Sequence, residues 1–229
     1  LRNTKGQAEC NFFKAMGLDY VYIEEGHDIE KLISVFEKIK DTDHPVVVHI
    51  KTIKGKGYSF AEKDKETWHW GMPFDINTGK SNFIFGKDYG DLTAQYLLKK
   101  MKEDKTVTAV TSGTPMVFGF NAQRRQEAGK QFIDVGIAEE HAVALISGMA
   151  SRGTKPVYGV YSTFIQRTYD QISQDLCINN NPALILVFGG GLTFLNDVTH
   201  LGFFDIPLMS NIPNLVYLAP KDKEEYFAM

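Results

Sequence analysis

The feature that most limits how this chain can fold is an alternation of short apolar runs with amphipathic stretches, clearest from Gln131 to Gln171. Phe132, Ile133 and Val135 form a run too short for a helix and typical of a buried strand. Between Ala138 and Arg152 apolar residues recur at helical spacing, at Ala142, Leu145, Ile146 and Met149. Pro156 to Tyr161 is rich in strand formers, and Phe164 to Ile178 returns to helical spacing. Such alternation predicts an α/β fold with parallel sheets flanked by helices. Both strand-to-helix turns then lie beyond the carboxyl ends of strands, where open parallel sheets bind their ligands. Asp134 and Glu139 flank the first turn, and Tyr161, Phe164 and Arg167 cluster at the second.

The remainder of the chain extends the pattern. Cys10 to Gly17 reads as the end of a helix stopped at Gly17, and Leu18 to Ile23 as a strand. Asp28 is placed to cap an amphipathic helix running from Ile29 to Lys40, with Leu32, Ile33, Phe36 and Ile39 on one face. Val46 to Ile50 is apolar enough for a strand buried on both sides. Thr52 to Tyr58 is a turn in which Lys54 and Lys56 alternate with Gly55 and Gly57. By residue type it is either a solvated basic turn or an anion contact. From Ser59 to Lys87 periodicity is lost, which marks a functional loop or a linker. Its notable feature is Trp68-His69-Trp70, a ring either packed on a surface or held for proton transfer. A second domain starts near Asp88, with a helix from Leu92 to Met101, a strand from Val107 to Thr111 and an exposed helix around Arg124 to Glu127. Strands follow at Ala183 to Phe188 and Leu215 to Leu218, and a last helix from Lys221. The domains are therefore placed at 1–58, 88–229 and a linker at 59–87.

Composition narrows the partners. A net charge of −3 offers no attraction for nucleic acid or an anionic membrane surface, and no apolar run approaches the ~20 residues of a membrane span. Two cysteines, Cys10 and Cys177, far apart and outside any CxxC pattern, predict free thiols and a cytoplasmic location. The chain opens at Leu1 and stops at Met229 within a helical stretch, which reads as a piece of a longer protein.

The motifs Ile137-Ala138-Glu139-Glu140-His141-Ala142 and Tyr161-Ser162-Thr163-Phe164-Ile165-Gln166-Arg167-Thr168-Tyr169-Asp170-Gln171 resemble the pyrimidine-binding domain of the 1-deoxy-D-xylulose-5-phosphate synthase family. That family comprises thiamine-diphosphate-dependent relatives of transketolase. The second motif is long and specific, whereas the first is shared across the transketolase group. The resemblance implies a homodimeric transferase that condenses pyruvate with glyceraldehyde 3-phosphate, with loss of carbon dioxide, toward isoprenoid, thiamine and pyridoxal synthesis. It implies the tail of the diphosphate-binding domain in 1–58 and most of the pyrimidine-binding domain in 88–229.

Roles follow from the same resemblance. Glu139 would set its carboxyl against the cofactor's pyrimidine, a task helped by a partly apolar pocket that raises a carboxyl pKa. By residue type alone, a Glu in a first helical turn needs only the macrodipole to explain it. Phe164 would stack on the pyrimidine, and Lys54 would lie at the cofactor. His69, His200, Tyr161 and Arg167 would face substrate, with His69 and His200 catalytic and Arg167 suited to a carboxylate or phosphate. Glu140, which stands where the synthases usually have Gln, and His141 carry no firm role.

The Gly-Asp-Gly motif and downstream Asn that hold Mg2+ and diphosphate in this family are not found here, so metal ligands are expected in another part of the protein. Lys65 replaces a usual Pro. Phe188-Gly189-Gly190-Gly191 stands where the synthases have Asp-Arg-Ala-Gly, and Asn196 where they have an aspartate. The missing arginine normally grips the phosphorylated acceptor; three glycines form either a backbone anion nest or merely a flexible turn. These departures leave two rivals open: a transketolase-type enzyme with another acceptor, and a synthase-like binding module without catalysis.

Overall fold

The computed structural model describes residues 4–82, 86, 88–191 and 199–229. Asn196 lies outside the described residues, as do positions 83–85 and 87 of the expected linker. The chain forms two compact units, 1–84 and 85–229.

In the first unit a short helix α1 (Phe12–Ala15) is capped by Asn11, whose side chain accepts from the Phe13 and Lys14 amides. It does not reach back to Cys10, because the Asn11 cap makes a better start than any residue before it. Strand β1 (Asp19–Ile23), helix α2 (Ile29–Ile39) and strand β2 (Val46–Ile50) then make a βαβ unit, with Asp19 opposite Val46 and Ile23 opposite Ile50 in parallel register. Asp28 caps α2 through the Lys31 amide at 3.1 Å. β2 is only half-buried along its length, not covered on both faces as its apolar run suggested. Its sheet has two strands among the described residues, so little packs on its faces.

The aperiodic stretch after β2 is more ordered than its composition suggests. Helix α3 (Ser59–Lys63) and a 3-10 turn (Thr67–His69) close around an aromatic knot. Tyr58 and Trp68 meet edge to face at 5.0 Å and Trp68 and Phe74 at 4.6 Å, with Phe60 beside them. Four rings within contact of one another stand in for the helical or strand periodicity that the segment lacks.

The second unit is a four-stranded parallel sheet with helices on both faces. Its order is β4-β3-β5-β6, where β3 is Val107–Thr111, β4 Phe132–Asp134, β5 Lys155–Tyr161 and β6 Leu184–Phe188. Helix α4 (Tyr89–Glu103) leads into β3, and α5 (Ala122–Ala128) joins β3 to β4. α6 (Glu139–Ala150) joins β4 to β5. One face of the sheet buries Ala109, Phe118, Phe120 and Val157 under α4 residues Ala94, Leu97, Leu98 and Met101. The other buries Val110, Tyr158 and Val160 under α6 residues Ala142, Val143 and Ile146. β3 and β5 are central and almost wholly buried, whereas β4 and β6 are edges. β4 is thus a three-residue edge strand and not the buried strand its apolar run suggested.

Two further expectations are revised. The helical periodicity of Phe164 to Ile178 does not make one helix. It is divided into α7 (Ser162–Ile165), a 3-10 turn (Gln166–Thr168), α8 (Tyr169–Gln171) and a π-helical segment (Ile172–Ile178). The Thr168 hydroxyl donates back to the Ile165 carbonyl at 2.7 Å, a local bond that suits the tighter turn. Leu215 to Leu218 forms no strand, and Val216 is 78% exposed. Apolar extended residues become a strand only where a neighbour meets their amides and carbonyls, and no ladder forms there. Helices α9 (Asp205–Met209) and α10 (Lys223–Ala228) complete the described chain, the latter tied to α4 by Tyr226 and Thr93, whose hydroxyls lie 2.5 Å apart.

Candidate functional site

From β3 the chain passes to β4 on one side and then crosses to β5 on the other. This leaves a topological switch point at the carboxyl ends of β3 and β5. The loops after β3, β4 and β5 lie at that edge, with Gly189 to Gly191 at the end of β6. Asp134, at the end of β4, accepts from the Gly113 amide at 2.8 Å and the Gly136 amide at 2.9 Å, which ties the β3 and β4 loops together. Both glycines have φ above +70°, so the clamp depends on backbone that other residues rarely adopt. Asp134 is thus a turn clamp. The Asp-x-Gly spacing carries this signal, although sequence reading took the residue only as one of two carboxylates.

The register of α6 determines where Glu139 points. The buried residues Ala142, Val143, Ile146 and Ala150 stand three, four, seven and eleven positions after it, on one helical stripe. Glu139 therefore faces the core and is 1% exposed, while Glu140 and His141 face out. A buried carboxylate needs a partner, and Arg167 Nη1 donates to its Oε2 at 3.2 Å. The Glu139 side chain is 2% exposed and that of Arg167 48%, so the pair has one end in the protein and the other at the surface.

The short turns after β5 arrange the rest. Tyr161, Phe164 and Arg167 recur every third residue, which aligns side chains along one side of a tight turn. The Tyr161 and Phe164 rings lie 6.0 Å apart, and the Arg167 guanidinium carbon lies 5.8 Å from the Phe164 ring centroid. His200 joins from the chain following β6. Its ring stands edge to face against Tyr161 at 5.9 Å and Phe164 at 5.5 Å, and its Nδ1 lies 2.7 Å from the Thr199 hydroxyl. Glu139, Tyr161, Phe164, Arg167 and His200 thus form one group, and Arg167 spends a donor on Glu139. Beneath them Ser112 and the fully buried Tyr158 share a hydrogen bond of 2.8 Å, and burial pushes the Tyr158 phenol well above its usual range. Sequence reading missed this pair, since neither residue stands out by type.

Of the three glycines after β6, Gly189 is half-buried, whereas Gly190 and Gly191 are exposed. Gly189 has φ +71°, and a Cβ on it would lie 2.9 Å from the Tyr161 ring. Gly191 donates its amide to the Gly202 carbonyl at 3.0 Å, so that donor is not available to an anion nest. Gly202 in turn lies against Ser162, whose hydroxyl is buried and has no hydrogen-bond partner among the described residues; a Cβ at position 202 would come within 1.9 Å of it. In the first unit, Lys54 Nζ is hydrogen-bonded to His69 Nδ1, and both side chains are exposed. Among the described residues no group of three or more His, Cys, Asp or Glu side chains is arranged to hold a metal ion. No helix there is long and apolar enough to cross a membrane.

A parallel α/β sheet with helices on both faces, and an acid buried behind an aromatic and imidazole cluster at its switch point, defines a domain of the doubly wound kind. The chain belongs to the transketolase pyrimidine-binding family: residues 86–229 match the model described as "Transketolase, pyrimidine binding domain". Residues 2–52 match a second model, described as "1-deoxy-D-xylulose-5-phosphate synthase". Curated proteins of that name resemble it over nearly its whole length. The protein of Clostridium perfringens (strain SM101 / Type A) is 40% identical over 214 residues, 93% of this chain and 34% of its own. That of Acaryochloris marina is 40% identical over 217 residues, again 93% and 34%. That of Caldanaerobacter subterraneus subsp. tengcongensis is 40% identical over 220 residues, 95% and 35%. The chain therefore spans about a third of the length of these relatives.

Proposed function

We propose that this chain is part of a 1-deoxy-D-xylulose-5-phosphate synthase, a thiamine-diphosphate-dependent transferase that joins pyruvate to glyceraldehyde 3-phosphate with release of carbon dioxide. Residues 1–58 would be the tail of the diphosphate-binding domain, 59–87 a linker and 88–229 the pyrimidine-binding domain. The whole protein would act as a cytoplasmic homodimer, with Mg2+ accompanying the diphosphate. The observation that carries the reading is the buried Glu139 carboxylate, paired with a guanidinium that lies over Phe164 at the sheet's switch point.

The residues present suit the pyrimidine end of the cofactor: a carboxyl shielded from water, an aromatic face beside it, and hydroxyl and imidazole groups around the rim. Thiamine diphosphate, when bound, supplies the chemistry of decarboxylating a 2-oxo acid and joining the remaining carbons to an aldehyde. The protein's part is to bind and orient. Glu139 holds or shares a proton at a ring nitrogen, and burial strengthens that bond by excluding competing water. Arg167 balances the Glu139 charge and leaves its outer edge for a substrate oxygen. Phe164 offers stacking area, Lys54 a cation near the cofactor, and Tyr161, His69 and His200 polar groups toward substrate.

The test is a carboligation assay on the protein that contains this chain, with pyruvate and glyceraldehyde 3-phosphate. Product formation that is lost in Glu139→Ala supports the proposal. Near-normal turnover in that variant refutes the role of Glu139, and no turnover with any donor refutes the enzyme reading. A second reading, a transketolase-type enzyme with another acceptor, is favoured by one observation. Position 189 lies under the Tyr161 ring at positive φ and has no room for a phosphate-gripping side chain. Activity with other aldehydes in preference to glyceraldehyde 3-phosphate would select it.

A further inference from the structure

Glu139 is the first residue of α6, and α6 begins without a side-chain cap. Position 138 is alanine, whose methyl group cannot accept from the amides that open a helix. An uncapped end is where a helix frays, so the aim of Glu139 has to be set from outside the helix. The chain leading in supplies that hold. The Ala142 amide donates to the Ala138 carbonyl at 3.0 Å, the Ala138 amide to the Gly136 carbonyl at 2.8 Å, and the Gly136 amide to Asp134 Oδ1 at 2.9 Å. These bonds run in series from α6 back to a single carboxylate oxygen, and hydrogen bonds in series strengthen one another.

The same oxygen takes the Gly113 amide at 2.8 Å, so the approach to α6 is tied to the loop after β3. Gly113 also abuts that approach: a Cβ on it would lie 3.3 Å from Ile137 Cγ1 and 3.5 Å from the Gly136 carbonyl carbon. The β3 loop is gripped a second time, one residue earlier, where buried Ser112 shares its 2.8 Å hydrogen bond with the buried Tyr158 hydroxyl of β5. Arg167 holds the tip of the Glu139 side chain; the brace holds the backbone that carries it. We infer that Asp134 is a positioning residue: through the Gly113 and Gly136 amides, with Tyr158 holding Ser112 behind them, it fixes the start of α6 and so the direction of the Glu139 carboxyl. The clamp is internal to this chain; only its value to turnover rests on the function proposed above.

The experiment compares Asp134→Ala, which removes the acceptor, with Asp134→Asn, which keeps an oxygen at the same place, in the protein that contains this chain. Hydrogen exchange followed by mass spectrometry, without cofactor or substrate, reads the loop. Peptides covering 135–142 should exchange at least about tenfold faster in Asp134→Ala, while those covering β5 stay as in wild type. Asp134→Asn should exchange close to wild type. In the carboligation assay, kcat per folded enzyme should fall by about tenfold or more in Asp134→Ala, with KM for pyruvate little changed. Asp134→Asn should recover most of that loss. Tyr158→Phe, which keeps the ring and loses only the hydroxyl, should give the same pattern in smaller measure. If Asp134→Ala does not fold, Tyr158→Phe decides, and wild-type exchange and kcat in it overturn the inference. Wild-type exchange over 135–142 in Asp134→Ala overturns it too, as does quickened exchange with an unchanged kcat, or an asparagine variant as impaired as the alanine one. A wild-type protein that makes no product counts only against the proposed function, and the exchange result then decides the clamp alone.

Discussion

Gly159→Ala is the substitution whose cost the structure specifies most closely. Gly159 sits in β5 opposite Thr111, two residues before Tyr161 of the site. An added Cβ would lie 2.3, 2.4 and 2.6 Å from three carbons of the Phe118 ring. Ordinary contact begins near 3.4 Å, so the ring must retreat by roughly 1 Å, and it has nowhere to go. Phe118 is 0% exposed and packed against Phe120 at 5.2 Å and Phe188 at 6.0 Å. Overpacking a filled core costs about 1–3 kcal/mol. The loss of glycine's freedom in the unfolded chain offsets about 0.4–1 kcal/mol of that. The net expectation is a destabilisation of about 1–2 kcal/mol, or a fall in Tm of roughly 3–8 °C for a unit of this size. Urea unfolding followed by far-ultraviolet circular dichroism measures it. Phe118→Leu in the same chain should recover part of the loss, with a coupling of at least about 1 kcal/mol between the two changes. A Gly159→Ala variant within about 0.5 kcal/mol of wild type, or strict additivity with Phe118→Leu, would show that the ring has room the packing denies.

Other expectations concern the site and its supports. Arg167→Met leaves the Glu139 carboxylate buried without its cation. It should destabilise by about 1–2 kcal/mol, less than the ~3–5 kcal/mol of a fully buried pair because the guanidinium is half exposed. Adding Glu139→Gln should restore most of that in urea titrations, and a double variant no more stable than Arg167→Met would contradict the pairing. Gly202→Ala should lower stability by about 1–3 kcal/mol, since its Cβ would collide with buried Ser162, and Ser162→Gly should relieve it. If the two changes simply add in thermal melts, the contact is not what holds that loop. His44 is held above its ordinary 6.5 by hydrogen bonds to Asp43 and then Asp19. Its contribution to stability is fully present below the unfolded value and is lost as pH rises through the raised folded value. Proton NMR of the His44 ring should show a raised midpoint that returns toward normal in Asp43→Asn; an unchanged midpoint would exclude the pair as its cause.

Much of the architecture was legible in the sequence because its causes are local. Helix stripes and strand runs are set by residues a few positions apart. The helical spacing of Ala142, Leu145, Ile146 and Met149 marked the inward side of α6, although the apolar residues most buried there with Glu139 are Ala142, Val143, Ile146 and Ala150. The three-residue spacing of Tyr161, Phe164 and Arg167 likewise follows from the turn that carries them. What a strand becomes depends on its neighbours. β4 and β2 have the composition of buried strands but lie half-exposed, and Leu215 to Leu218 stays unpaired although its residues favour extension.

Only the tertiary structure decided which groups meet. The Arg167–Glu139 pair spans twenty-eight positions, the Ser112–Tyr158 bond forty-six, and the His200 ring contacts Tyr161 at the end of β5 and Phe164 in α7. The same holds for the glycines after β6, where Gly189 meets the Tyr161 ring and the Gly191 amide meets the Gly202 carbonyl. Backbone preference acts over a turn or two, whereas charge pairing, ring contact and steric exclusion act on whatever the folded sheet brings within a few ångströms.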